Sequence, residues 1–151
     1  MRIMIADSHP EVRAALRLLL EEQAATWIVA SEAGNAIELI NRVRSANPRV
    51  ILIDWDLPGM RVAQAGAGLQ RADKIFLAIS AISPKAKILV LSTNPAARDE
   101  AIRAGADVFL CKSEPPQRLM ETIQSLDVGI PEERTQPPWK PLPNLPVEPI
   151  K

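Results

Sequence analysis

Short continuous apolar runs alternate along the chain with segments whose apolar residues recur at helical spacing. The clearest runs are Ile3–Ala6, Val50–Ile53, Ile88–Leu91 and Val108–Cys111, and Trp27–Ala30 is a fifth, weaker one. Each is apolar throughout rather than alternating, the pattern of strands covered by helices on both faces. Between them, Pro10–Gln23 places Val12, Leu16, Leu19 and Leu20 on one side, with Pro10 in a first turn where its missing N–H is not needed. A second segment opens at Asn35, an N-cap with Glu38 three residues on, carries Ile37, Leu39, Ile40 and Val43, and stops at Asn47-Pro48. A third runs from about Leu69 to Ile82 and is closed by Ser83-Pro84; a fourth, Ala96–Ala104, ends at Gly105. The last follows Ser113, holds Pro115 and Pro116 in its first turn, and continues through Leu119, Ile123 and Leu126.

Five alternations of strand and helix predict right-handed βαβ crossovers. The expected fold class is α/β: a doubly wound five-stranded parallel sheet with five helices, in three layers. In such sheets ligands bind beyond the carboxyl ends of the strands. The residues that end the strands here are Asp7, Asp54, Ser92 and Lys112.

Composition narrows the function classes. A length of 151 residues suits one domain. Lys plus Arg and Asp plus Glu both number 18, so formal net charge is zero and the basic footprint of a nucleic-acid binder is missing. One cysteine, Cys111, excludes an internal disulfide and a multi-cysteine metal site; its place in an apolar run reads as a small core residue. Met1-Arg2 runs directly into a short apolar segment that ends at Asp7, with neither a signal-peptide apolar region nor a span of about 20 apolar residues, so a cytoplasmic protein without membrane contact is expected. Seven of the 14 prolines lie from Pro131 onward, which divides the chain into a domain over 1–128 and a proline-rich tail over 129–151. Pro138, Pro141, Pro143 and Pro146, around Trp139, have the spacing of polyproline ligands and also of plain extended tails.

Two acids, a hydroxyl and a lysine converging on one sheet edge suit phosphoryl transfer. A carboxylate attacks phosphorus to form an acyl phosphate, a hard cation held by oxygens neutralises the charge that develops, and Mg²⁺ is the natural choice. An ammonium adds a second counter-charge, and a Ser hydroxyl hydrogen-bonds a phosphoryl oxygen.

Four stretches carry a resemblance to a known family. They are Ile3-Met4-Ile5-Ala6-Asp7-Ser8-His9-Pro10, Ile51-Leu52-Ile53-Asp54-Trp55-Asp56-Leu57-Pro58-Gly59-Met60, Leu89-Val90-Leu91-Ser92, and Ala104-Gly105-Ala106-Asp107-Val108-Phe109-Leu110-Cys111-Lys112. In this order they resemble the CheY-like receiver domains of two-component response regulators, above all those of the helix-turn-helix output subfamily, over about residues 2–127. The resemblance implies a flavodoxin-like fold and Asp54 as phosphoacceptor, with Lys112 and Ser92 on the phosphoryl oxygens. It further implies Asp7, Asp54 and the Asp56 main-chain carbonyl as Mg²⁺ ligands, and Ser92 with Phe109 as the switch. A sensor histidine kinase or phosphotransfer protein would be the donor, and an unidentified protein, or a second copy in a homodimer, would read the switched face. Such a chain is a signalling module and not an enzyme.

Three departures bear on this. The family carries two adjacent acids after the first strand, and Ser8 stands at the second, which weakens the expected metal site. The stretch Arg61–Gly68 makes the following loop longer than the family's. No second periodic region offers an output domain. Ser8 and the loop together favour the alternative of a degenerate receiver that binds a partner without phosphorylation. His9, beside Pro10 at a helix start, is assigned to the turn. Gly66-x-Gly68 lacks the third glycine and the preceding strand of a dinucleotide site.

Overall fold

The fold was analysed in a computed structural model, whose described residues are 1–23, 25–60 and 68–127. Residues 61–67 of the long loop and the tail over 129–151 lie outside them. The elements are β1 (Arg2–Ala6), α1 (Pro10–Gln23), β2 (Ile28–Ala33), α2 (Ala36–Ala46), β3 (Val50–Asp54), α3 (Gly68–Ile82), β4 (Lys87–Ser92), α4 (Arg98–Ala104), β5 (Val108–Cys111) and α5 (Pro116–Asp127). All strands are parallel, in the order β2-β1-β3-β4-β5. This is the doubly wound, three-layer arrangement expected from the alternation of elements.

Because side chains alternate across a strand, each continuous apolar run feeds two cores at once. Met4, Ile51, Ile53, Val90 and Phe109 point to the side covered by Leu39 and Val43 of α2, Phe76 and Ile79 of α3, and Ala101 of α4. Ile3, Ile5, Leu52, Leu89 and Leu110 point to the other side, under Leu20 of α1 and Leu119, Ile123 and Leu126 of α5. Among the described residues no helix is long and apolar enough to cross a membrane.

Two element boundaries differ from the sequence reading. The weak run Trp27–Ala30 belongs to a strand that begins at Ile28 and continues through Ser31 and Glu32 to Ala33. Its second half is polar because β2 is an edge strand, and Glu32 there accepts Arg13 Nε at 3.0 Å and Arg17 Nε at 2.9 Å. Trp27 precedes the strand but is only 3% exposed, so its apolar character reports burial in the core. The fourth helical segment starts as one 3₁₀ turn, Pro95–Ala97, before α4 proper, because Asn94 accepts the Ala96 N–H at 3.0 Å and Pro95 sets the first turn.

Helix α2 is fixed at both ends by its sequence. The Asn35 side chain accepts the Glu38 N–H at 2.9 Å, and Glu38 Oε1 accepts the Gly34 N–H at 2.7 Å. At the other end Asn47 adopts the left-handed conformation, φ 45°, with its N–H on the Val43 carbonyl. Replacement Asn35→Ala is expected to lower unfolding free energy by about 1 kcal/mol, whereas Asn35→Ser keeps most of it. Urea denaturation of the two variants checks this.

Candidate functional site

The order β1-β3-β4-β5 sets the ends of four strands side by side, so residues far apart in sequence arrive at one edge of the sheet. Asp7 stands one residue past β1, with its N–H on the Ala33 carbonyl at 2.9 Å. Its own carbonyl accepts Arg13 Nη1 at 2.5 Å, and Arg13 is also paired with Glu32, so α1 and β2 both hold this turn in place. Asp54 is the last residue of β3 and Ser92 the last of β4. Lys112 follows β5, its N–H donating to the Ser92 carbonyl at 2.7 Å. The loop after β3 is locked to α2: the Pro58 carbonyl accepts the Ala36 N–H at 2.8 Å. Gly59 there has φ +91°, and any Cβ would stand 3.0 Å from that of Ala36.

Three of the predicted residues meet. Asp7 and Asp54 are 2% and 5% exposed, and Lys112 Nζ lies 3.3 Å from Asp7 Oδ2 and 3.2 Å from Asp54 Oδ1. Burial by itself penalises the Lys112 charge, but Asp54, and then Asp7, outweigh it and raise the lysine above its ordinary value. Burial likewise opposes ionisation of Asp7. The His9 backbone N–H, at 2.8 Å, then the His9 ring and Lys112, more than compensate and hold Asp7 below its ordinary 3.8. Both groups are thus charged at neutral pH, so the buried Asp7 carboxylate stands beside a fixed cation.

The other predicted residues flank this cluster. The Ser92 hydroxyl is 1% exposed and accepts the Asn94 N–H at 3.0 Å, so it is engaged with the turn before α4. Phe109 is turned into the core at 2% exposure, with the Arg98 guanidinium 5.2 Å from its ring centroid and Arg98 Nη2 on its carbonyl at 3.4 Å. Asp56 has an exposed side chain, and its backbone N–H donates to Asp54 Oδ1 at 3.3 Å.

One sequence assignment needs correction, and the turn residue His9, whose N–H donates to Asp7 Oδ1 as a turn requires, has a second contact. His9, assigned to the turn alone, has Nδ1 3.0 Å from Asp7 Oδ1, and it forms with Asp7 and Asp54 a group whose ligand atoms all lie within 4.8 Å of one another. The signal for it was the Asp7-x-His9 spacing across a tight turn. Cys111 is part-exposed rather than buried, and the Ser113 hydroxyl, 3.2 Å from its sulfur, lowers the thiol pKa.

A parallel sheet of this order, with two acids and a lysine at its carboxyl edge, defines a receiver domain of the response-regulator class. Residues 3–124 match the response regulator receiver domain family, and the chain belongs to it. It is 32% identical over 126 residues to the nitrate/nitrite response regulator protein NarP of Escherichia coli strain K12, covering 82% of this chain and 54% of NarP. It is 29% identical over 127 residues to the chemotaxis protein CheY of Thermotoga maritima, covering 83% of this chain and 96% of CheY. The chain thus spans about half the length of the first of these relatives. The isolated REC domain of RcsB from Salmonella enterica serovar Typhimurium, solved with the phosphomimetic BeF3−, superposes with a TM-score of 0.68 at 26% identity, covering 85% of this chain and 89% of that one.

Loss of the bridging cation should show as pH-dependent destabilisation. Lys112→Met leaves two buried carboxylates facing each other and is expected to cost on the order of 2 kcal/mol at pH 7. Asp7 is depressed in the folded state, so its stabilising contribution is present above its ordinary 3.8 and disappears as pH falls through the folded value. The gap between wild type and variant therefore closes below about pH 4. Urea unfolding of both proteins from pH 7 to pH 3 measures it.

Proposed function

We propose that the chain is a phosphorylatable receiver in which Asp54 takes a phosphoryl group from a phosphohistidine on a sensor histidine kinase or a phosphotransfer protein. The observation that carries this is the pair of buried carboxylates, from the ends of β1 and β3, bridged by Lys112 from the end of β5. An Asp54 oxygen attacks phosphorus, the P–N bond to the donor imidazole breaks, and that imidazole leaves to be reprotonated from solvent. The receiver unit is residues 1–128, and a cytoplasmic location accords with this donor chemistry.

Asp7, Asp54 and the Asp56 main-chain carbonyl are the groups to hold a divalent ion, for which two buried carboxylates within reach of each other are a suitable donor set. Bound there, Mg²⁺ would offset the charge of the phosphoryl oxygens. Lys112 then exchanges Asp54 for a phosphoryl oxygen, and the Ser92 hydroxyl turns from accepting the Asn94 N–H to donate its own proton to another. Because Asn94 caps the turn leading into α4, release of that hydrogen bond is transmitted to α4. Arg98, at the start of α4, stacks on Phe109 of β5, so the α4–β5 face is remodelled as a unit. A downstream protein, or a second copy of the chain, reads that face; no direct nucleic-acid contact is involved.

Ser8 at the place of the family's second acid favours a second reading, a module that binds its partner without phosphorylation. Acetyl phosphate with Mg²⁺ separates the two. Intact mass should rise by one phosphoryl group, the gain should disappear in Asp54→Asn and on chelation of the metal, and hydroxylamine should remove it, as it does an acyl phosphate. Absence of any gain at high Mg²⁺ selects the second reading.

A further inference from the structure

We propose that the groove between α1 and α5 is the docking site of the chain's own proline-rich segment, residues 129–151, with Trp139 and Leu142 as the side chains that enter it. Val12, Leu16 and Leu19 of α1 form one wall, Pro116 and Leu119 of α5 form the other, and Leu110 of β5 also lines it. The three α1 residues are half-buried, whereas Leu20 beside them is fully buried. Helix α1 thus turns an apolar stripe toward the groove that the described residues cover incompletely. The groove measures about 240 Å³. That is below the roughly 300–1,000 Å³ of small-molecule sites, and is space for side chains rather than for a whole ligand.

The occupant follows from chain connection and from spacing. Helix α5 supplies one wall and leads directly into the segment. From Leu119 to Asp127 that helix rises about 12 Å. The twelve residues from Asp127 to Trp139 reach up to about 37 Å when extended, so the chain is long enough to bring Trp139 back beside Leu119. Trp139, Leu142 and Leu145 recur at every third residue, the repeat of a polyproline II helix, and in that form share one face. Neighbours on such a face stand about 9 Å apart, and the α1 wall runs about 10 Å from Val12 to Leu19, which accommodates Trp139 and Leu142 together. An apolar groove offers a peptide backbone no hydrogen-bond partners, and a polyproline II chain requires none because its polar groups stay in water. Prolines also fix φ beforehand, so ordering such a segment costs less entropy than ordering an ordinary one. Lys112 lines the groove while its Nζ reaches Asp7 and Asp54, so the docked segment borders the acidic edge of the sheet.

Cys111 lines the groove and is the one cysteine of the chain, so the rate at which the full chain reacts with the thiol reagent DTNB reads whether the groove is covered. The assay involves no phosphoryl transfer and is independent of the acceptor role of Asp54. The paired substitutions Trp139→Ser and Leu142→Ser, both outside residues 1–128, should raise that rate several-fold at fixed pH. Leu16→Glu on the groove wall should raise it as much, and combining it with the tail pair should add nothing further, because both act on one contact. Where urea denaturation shows that Leu16→Glu does not fold, the tail pair alone decides. Equal rates in wild type and the tail pair overturn the proposal. Full additivity of the tail pair with a folded Leu16→Glu also overturns it. Protection in the wild type that grows with protein concentration assigns the groove to a second copy, and equally overturns it.

Discussion

Asp7 and Asp54 are almost wholly buried side by side, and their mutual repulsion is the constraint around which the carboxyl edge of the sheet is built. Two unit charges no more than 4.8 Å apart repel by ~3 kcal/mol or more at an effective dielectric of about 20. A fold that accepts this must supply a cation from close by. Lys112 does so from the far side, reaching past β4 from the end of β5, with Nζ within 3.3 Å of both acids. The position of Lys112 depends in turn on its N–H bond to the Ser92 carbonyl, which ties β5 to β4 in register. Burial, charge and strand order are therefore one problem, solved together.

In the proposed receiver function, the same arrangement makes the site responsive. A cation bridging two anions can be displaced by any stronger pairing, whether a phosphoryl oxygen on Lys112 or a metal ion on the acids. Next to this centre Ser92 accepts the Asn94 N–H, Asn94 accepts the Ala96 N–H, and the Arg98 guanidinium lies over the Phe109 ring. A change at Ser92 has a direct mechanical route to α4. The rest of the sheet is packed on both sides by aliphatic side chains and gives a rigid frame against which such a change can act.

Much of this was legible in the amino-acid sequence because burial on both faces leaves continuous apolar runs, as at Ile3–Ala6 and Val50–Ile53, and because the polar residues that stop those runs are the ones the strand order brings to one edge of the sheet. Asp7, Asp54, Ser92 and Lys112 each end or follow a strand whose apolar pattern is plain. Polar residues that owe their place to a partner were not legible. Glu32 sits in an edge strand because Arg13 and Arg17 neutralise it, contacts 19 and 15 residues apart that local pattern does not report. His9 was taken for a turn residue because a tight turn explains it locally, while its approach to Asp7 Oδ1 depends on side-chain direction. Cys111 reads as core since its neighbours are apolar, yet at the end of a four-residue strand its side chain is part-exposed.

The most direct measurement is a crystal structure of the protein with beryllium trifluoride and a divalent ion. The account predicts beryllium bonded to an Asp54 oxygen, Lys112 Nζ moved from Asp54 onto a fluoride, Asp7 on the metal, and the Ser92 hydroxyl released from Asn94. Lys112 still bridging Asp7 and Asp54, with no beryllium at Asp54, would contradict it.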